Sequence, residues 1–543
     1  MKVFDIPSMT KDVYKEFHVP AYHPAITKVY ANYVSRSGKY SNTKTDFTVF
    51  GGLQGWIIDF LLGDWQEHFF NVSEDDAVYQ HGRILSAMLG YKVDTSYLRS
   101  LHQLGYLPLR IKALPEGTFV PYQVSPVTIE NTVEGFQWLT NMIETAFSTD
   151  AWAVQTSLTT SVAYYTQFIR YARETGLDES FAAFQGHDFS ARGLFGRGAW
   201  PLSGLGHLMS GLVGTDTVPA VVAAERYYGA NVDNELVGCS VNATEHSVTC
   251  SWQEEGELAF YRYLMHSVAP TGILSLVFDT WDFWNGVTSI LPELKQEILT
   301  RDGTIVIRPD SGDPVKILTG YTVDSIKFAD ASSVLDFYDH GNKIKPEAVQ
   351  VGGKWYELYS DGLDGRVAIG SELMECEVKG LIECLWDIFG GTETLKGYKL
   401  LNDKIGAIYG DSITLDRQEQ ILSRLKNKGF ASKVVLGIGS YTYQYVTRDT
   451  HGSAIKATNV LKSGVDFAIA KEPKTDIGKK SAKGLLRIER IDGKLVQFDQ
   501  QTREQEQGGL LEVVFEDGKL LKKTTLQEIR ATVKAQIDEL LSV

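Results

Sequence analysis

Apolar residues recur along this chain with two periods, and the places where the period changes divide it. Up to about residue 150 the pattern is mixed. An apolar stretch at 46–52 (DFTVFGG) precedes a helix expected around 56–62, and 130–147 carries Phe136, Leu139, Met142, Ile143 and Phe147 at helical spacing. That aromatic stripe reads as core. A second long helix is expected over 152–174, after which the polar, glycine-rich FQGHDFSARGLFGRG at 184–198 breaks the periodicity as a loop does.

From about 237 to 470 the pattern turns regular: a short apolar run, a polar or glycine-rich tip, then an amphipathic helix. The runs end at SVNATEHS (240–247), FDTWD (278–282), RPDSG (308–312), YGDS (409–412) and GIGSYTY (437–443). Helices fit between them, for example 291–300 and 415–428, the latter with Gly429 in the C-cap position. Alternating strands and helices imply parallel pairing, so every polar tip falls on the carboxyl side of one sheet. In a closed α/β barrel that side carries the active site. The stretch 317–396 has strands and turns of its own, such as AVQVGGKWYELYSDG at 348–362, and is too long for one connection; it reads as an inserted subregion. After 483 come two hairpins turning at Asp492-Gly493 and Asp517-Gly518. A closing helix follows, opened by a capping box from Thr525 to Glu528, with Leu526, Ile529, Val533, Ile537 and Leu540 on one face. This tail is expected to pair with the N-terminal segment.

Composition narrows the class of function. With 543 residues, 43% of them hydrophobic, the chain can build two or three domains around a large core. A net charge of −15 and a pI near 5.3 argue against a general nucleic-acid or anionic-membrane surface, so any anion site must be built locally. The N-terminus lacks the apolar core of a signal peptide and no run approaches the roughly 20 apolar residues of a membrane helix, so a cytoplasmic protein is expected. Cys239, Cys250, Cys376 and Cys384 form no CxxC pair, which disfavours disulfide scaffolds and zinc knuckles and leaves buried thiols as the expectation.

The tips concentrate chemistry that a core strand does not need. TIVIRPDSGDP (304–314) runs from three β-branched residues straight into a guanidinium and two carboxylates; an ordinary solvated turn is the plain alternative. The other tips hold Glu245 and His246, Asp279 and Asp282, Asp411, and Gly437, Gly439 and Ser440, with Arg448 shortly after. Carboxylates, arginines and glycine-rich backbone on one face suit a phosphorylated sugar: glycines expose N–H donors to phosphate, Arg grips it bidentately, and carboxylates bind hydroxyls or Mg²⁺. A barrel aldolase or isomerase would want a Schiff-base lysine at a tip, and no tip lysine stands out.

The motifs DVYK (12–15), HDFSARG (187–193), GTDTV (214–218), SVNATEHS, IRPDSG, YGDS, QYVTRD (444–449) and KKSAKG (479–484) occur in one order across most of the chain. In these the chain resembles the nicotinamide phosphoribosyltransferases. The resemblance implies an irregular parallel α/β barrel over 151–483, with the inserted subregion at 317–396. It implies a second α+β domain built from 1–150 and 484–543, and a homodimer with shared active sites. The implied reaction joins nicotinamide and 5-phosphoribosyl-1-pyrophosphate into nicotinamide mononucleotide and pyrophosphate.

Carried over by position, the resemblance implies that Phe189 and the partner subunit's Tyr14 would sandwich the pyridine ring. Asp216 would accept from the carboxamide NH₂ and repel nicotinate, and Arg192 would reach the ring substituent or the pyrophosphate. Read bare, an N-cap for the apolar stretch from Val218 is the plain alternative for Asp216. Arg308, Asp310, Asp279 and Asp411 would hold ribose, pyrophosphate and Mg²⁺, with Asp310 first choice for the developing ribose charge, and Ser240, Ser275 and Gly410 would line the same pocket. Gly439, Ser440 and Arg448 would bind the 5′-phosphate, while the partner subunit's Arg36, Lys456 and Lys471 would add cations toward the pyrophosphate. ATP would phosphorylate His246, with adjacent Glu245 orienting the imidazole. Against the family pattern, Ser440 and Tyr441 stand where glycine usually continues, Gly406 stands where an arginine is common, and Thr244 and Ala191 are milder changes. The nearest alternative is a nicotinate phosphoribosyltransferase; a catalytically silent nucleotide-binding regulator on the same fold is another.

Overall fold

The computed structural model describes residues 6–339, 345–360, 367–410, 412–470 and 482–542. Asp411, Lys471 and residues 479–481 of KKSAKG lie outside the described residues. The fold is mixed α/β with an irregular parallel barrel. Among the described residues, its strands Gly186–Asp188, Gly214–Thr215, Asn242–Ala243, Thr271–Val277, Asp302–Arg308, Ile405–Tyr409 and Val435–Ile438 lie side by side in chain order. Every pairing is parallel. The first and last of these, Gly186–Asp188 and Val435–Ile438, pair with each other, and a parallel bridge between Gly214 and Cys239 spans the remaining gap between Gly214–Thr215 and Asn242–Ala243 and closes the ring. Ile305, Ile307, Leu274, Leu276, Leu436 and Ile438 are buried in its core, as β-branched and leucine-rich strands covered on both faces must be.

The sequence pattern placed a loop over 184–198, yet Gly186–Asp188 inside it is a barrel strand. Three residues reading Gly-His-Asp offer no apolar run for a period to detect. In the other direction, Ala454–Lys462 and Val465–Ala468 fall in the regular stretch but pair antiparallel with Ile26–Val34 and with each other. They belong to a second, antiparallel sheet that also holds Val127–Asn131, Leu109–Ala113, Glu512–Glu516 and Lys519–Leu520. The tail therefore meets the N-terminal segment through Glu512–Glu516 on Leu109–Ala113.

Both hairpins turn where Asp-Gly required, with φ of 49° and 79° at Asp492 and Gly493 and of 47° and 76° at Asp517 and Gly518. The closing helix Leu526–Ser542 is capped by Thr525 and Glu528 and buries Leu526, Ile529, Val533 and Ile537, whereas Leu540 is exposed. Its apolar face joins the core of the barrel and of the long helix Glu144–Thr175. Phe136, Leu139, Met142, Ile143 and Phe147 are buried, as their spacing demanded.

Within the inserted stretch, Val323–Phe328, Ala348–Val351, Lys354–Ser360 and Val367–Leu373 form a separate four-stranded sheet with a small core of its own. It is fastened to Arg424, in the last turn of the helix Leu415–Asn427, through Glu347. That helix starts beside a strand tip, so its last turn lies at the amino end of the barrel, and the insertion sits away from the tips.

Candidate active site

The carboxyl ends of the barrel strands bring His246, Asp279, Arg308 and Asp310 together. Asp279 follows Thr271–Val277 and its carboxylate is 4% exposed. Its Oδ2 accepts from the Asp310 backbone N–H at 3.0 Å and from the Ser311 hydroxyl at 2.5 Å, so one tip anchors the next. Its Oδ1 has no hydrogen-bond partner among the described residues. His246 Nε2 stands 3.9 Å from that oxygen and 3.6 Å from Asp310 Oδ2. It is Thr280, not Glu245, that meets His246 Nδ1, at 3.2 Å; the Glu245 carboxylate accepts from the Ser247 hydroxyl instead. Arg308 Nη2 donates to Asp310 Oδ2 at 3.2 Å, while its Nε is buried without a partner among the described residues.

Close approach explains the glycines here. A Cβ on Gly410 would strike the Asp310 carboxylate, and one on Gly437 would meet the Gly410 carbonyl and the Phe189 ring. Tyr409 donates its hydroxyl to the Gly312 carbonyl at 2.9 Å and fixes the 310–313 tip. Burial, followed by the Asp310, Asp279 and Asp313 charges, pushes that phenol well up, so it stays a donor. Asp313 and Asp282 also cap the helices that follow them, each accepting from a backbone N–H of the first turn.

One strand over, the ring pocket is built from Phe189, Arg308, Asp216 and a residue to which the sequence reading gave no role, His187. The Arg308 guanidinium lies 5.9 Å from the Phe189 ring centre, and the His187 imidazole stacks on the same ring at 4.3 Å and 28°. His187 Nε2 and the Ser240 hydroxyl both donate to Asp216 Oδ1, at 3.0 and 2.5 Å. Asp216 is thus not the N-cap of Val218–Tyr228, where Thr217 stands with no side-chain cap. Burial pushes its carboxyl up, but the bonds from His187 and Ser240, with His187 and Arg308 nearby, hold it below the usual carboxylate value. His187 was legible only as the first letter of HDFSARG; its imidazole gains a role through Gly214, which precedes Asp216 by two residues on the adjoining strand.

The remaining candidates separate. Ser275 is buried, its hydroxyl without a partner among the described residues. Arg192 is exposed in the turn Ala191–Gly193, and Ser440, first in the helix Ser440–Gln444 after Gly439, packs its side chain onto Gly193. Arg36 and Arg448 hang on one turn: Arg36 donates from its backbone N–H to the His451 carbonyl at 2.9 Å and from Nε to the Gly452 carbonyl at 2.7 Å. Lys456 lies just beyond, opposite Asn32. Tyr14 is 58% exposed at the start of Lys15–Ala21, on a segment pinned by buried neighbours. Lys15 reaches Glu144 at 2.6 Å, and Glu16 meets Lys11, His81 and Tyr97. Burial pushes the Glu16 carboxyl up, yet those partners overcome it and pull it down to about 2.

A model of the nicotinate phosphoribosyltransferase (NAPRTase) family matches residues 184–519. A nicotinamide phosphoribosyltransferase of Acinetobacter baylyi is 43% identical, with 97% of each chain covered. One of Xanthomonas campestris pv. campestris is 29% identical over 98% of this chain and 99% of its own. Among solved structures, nicotinate-nucleotide pyrophosphorylase from Pyrococcus furiosus superposes with a TM-score of 0.54 at 12% identity, covering 100% of this chain and 98% of that one. Human nicotinic acid phosphoribosyltransferase gives 0.51 at 13%, covering 96% and 93%. At those identities the likeness is one of fold. Among the described residues no helix is long and apolar enough to cross a membrane.

Proposed function

The chain belongs to the nicotinate phosphoribosyltransferase (NAPRTase) family, and we propose that it transfers the phosphoribosyl group of 5-phosphoribosyl-1-pyrophosphate to nicotinamide. The products are nicotinamide mononucleotide and pyrophosphate, a step of NAD salvage in the cytoplasm. The observation that carries the amide over the acid is Asp216, a carboxylate held ionised beside the Phe189 shelf. It accepts from a carboxamide N–H, whereas nicotinate would set a second carboxylate against it, a juxtaposition that costs several kcal/mol.

In the transfer the ring nitrogen forms a bond to ribose C1 as the C1–O bond to pyrophosphate breaks, the electron pair leaving with the oxygen. Positive charge gathers on the ribose between these events. Asp310, oriented by Arg308 and by the Asp279 bond to its backbone, stabilises that charge more than it stabilises the neutral ground state. Because Asp279 is already fixed by Ser311, little reorganisation accompanies the reaction.

Asp279 Oδ1 and Asp310 also suit Mg²⁺, which takes one or two carboxylates and fills its shell with water and substrate phosphate. No group of three metal-binding side chains stands among the described residues, so the diphosphate itself would complete the set. Such an ion would neutralise charge on the departing pyrophosphate. ATP would phosphorylate His246 at Nε2, the nitrogen that Thr280 leaves available, with ADP departing. In a homodimer, exposed Tyr14 of one subunit would close over Phe189 of its partner, and Arg36 and Arg448 of one chain, which share a turn, would serve one phosphate site rather than the separate 5′-phosphate and pyrophosphate ends expected from the sequence.

Purified protein with nicotinamide, phosphoribosyl pyrophosphate and Mg²⁺ is expected to form nicotinamide mononucleotide. Turnover of nicotinate with none of nicotinamide would overturn the substrate. His246→Ala should keep basal turnover and lose its response to ATP; an unchanged response removes His246 from the coupling.

A further inference from the structure

His187 is 6% exposed and touches both halves of the ring pocket, stacked on Phe189 and bonded to Asp216. Neighbouring strands leave room for this pair. A Cβ on Gly214 would lie 2.9 Å from His187 Nδ1, and one on Gly437 would lie 2.8 Å from the Phe189 ring. Gly214 is itself fixed by His207, whose Nε2 donates to its carbonyl at 2.9 Å while Nδ1 accepts from the Tyr443 hydroxyl at 2.7 Å. The imidazole thus stands on a rigid base. Its bond to Asp216 joins two strands, because Asp216 ends the strand next to the one carrying His187.

We propose that His187 is a specificity-determining positioning residue for the amide: by donating Nε2–H to Asp216 Oδ1 it turns the second carboxylate oxygen toward the ring substituent. The inference rests on the nicotinamide reading above. Ser240 donates to the same Oδ1, so both donors gather on one oxygen and leave Oδ2 to accept from the substrate. Without His187, one donor and the ring support are lost together. The carboxylate could then swing off the pocket, admitting nicotinate with less repulsion and holding nicotinamide more weakly.

The test compares kinetics of wild type, His187→Gln, His187→Phe and His187→Asn with each acceptor. Gln carries an amide donor far enough out to reach Asp216, Phe keeps the stacked ring without a donor, and Asn is polar but too short. Phe and Asn are expected to raise the nicotinamide KM by about ten- to a hundredfold, the worth of one charge-assisted hydrogen bond. They should leave kcat and the phosphoribosyl pyrophosphate KM within about twofold and lower the nicotinamide-to-nicotinate ratio of kcat/KM by a similar factor. Gln should restore most of both. Gln no better than Phe and Asn, or a loss spread equally over kcat and both KM values, would overturn the role of His187. If Phe does not fold, Gln against Asn decides by the same readings. A wild-type enzyme that itself prefers nicotinate would instead defeat the nicotinamide reading, so the two failures are distinguishable.

Discussion

The strand Asp302–Arg308 has an arginine at each end, and the two are treated in opposite ways. At the amino end Arg301 is spent on the fold: Nη1 donates to the Gly272 carbonyl at 2.5 Å, and Nη2 to those of Ala269 and Thr271 at 2.6 and 2.9 Å. Its neighbours follow suit, with Lys404 donating to the Arg301 carbonyl and Lys428 to those of Thr319 and Lys379. Only the Arg301 Nε is left over in that set. At the carboxyl end Arg308 Nε, Asp279 Oδ1 and Ser275 Oγ are all buried without partners among the described residues. A buried polar group left unmatched costs about 1–3 kcal/mol, so three in one place mark a surface built to be completed by a ligand. The same residue type thus caps carbonyls at the amino end and is left incomplete at the carboxyl end, where the proposed substrate would arrive.

If that contrast is right, substitutions at the two ends should separate activity from stability. Asp310→Ala is expected to lower kcat/KM by about 10²- to 10³-fold, with thermal unfolding little changed, because a group serving mainly the transition state is lost. Comparable losses in melting temperature and activity would break the contrast. Asp216→Asn should shift the nicotinamide-to-nicotinate kcat/KM ratio toward the acid by about a hundredfold, as like-charge repulsion vanishes. An unchanged ratio would move specificity elsewhere.

Arg301→Leu should do the reverse, costing about 1–3 kcal/mol of stability through three lost carbonyl bonds, of which the one to buried Ala269 is left unmatched, while turnover per folded molecule stays the same. Urea unfolding set beside active-site-normalised rates would settle it. The smallest effect is one of pH. A carboxyl whose folded value is depressed keeps its contribution above its unfolded value and loses it only as pH falls through the folded one. Asp216 is held low, so the nicotinamide KM should stay flat as pH drops toward about 5 and rise only at or below the ordinary aspartate value near 3.9. A rise starting near neutrality would mean that another group sets binding.

How much of this was open to reading from the chain depends on the range of the interaction. Turns and caps are local, so Asp492-Gly493, Asp517-Gly518, Gly429 and the Thr525–Glu528 box stood in the sequence as they stand in the fold. The tip Arg308–Asp310 was legible because charge so close to a β-branched run needs a reason. Gly186–Asp188 was not, since a short strand takes its conformation from Val435–Ile438 and Gly214–Thr215 beside it rather than from its own residues. His187 and Thr280 were missed for a related cause: each acquires its role from an atom tens of residues away. The antiparallel sheet hid itself most completely, because Ala454–Lys462 reads like the barrel strands before it and only its pairing with Ile26–Val34 reveals otherwise.

That pairing also bears on how the molecule comes into being. Ile26–Val34 buries Val29, Tyr30, Ala31 and Tyr33 between two neighbours, of which Val127–Asn131 is made early and Ala454–Lys462 only after the whole barrel. On the ribosome, one of the earliest strands therefore waits with one edge bare while the parallel ring closes behind it. The apolar rim it presents in that interval is where a chaperone would be needed, and where a stalled or truncated chain would aggregate first.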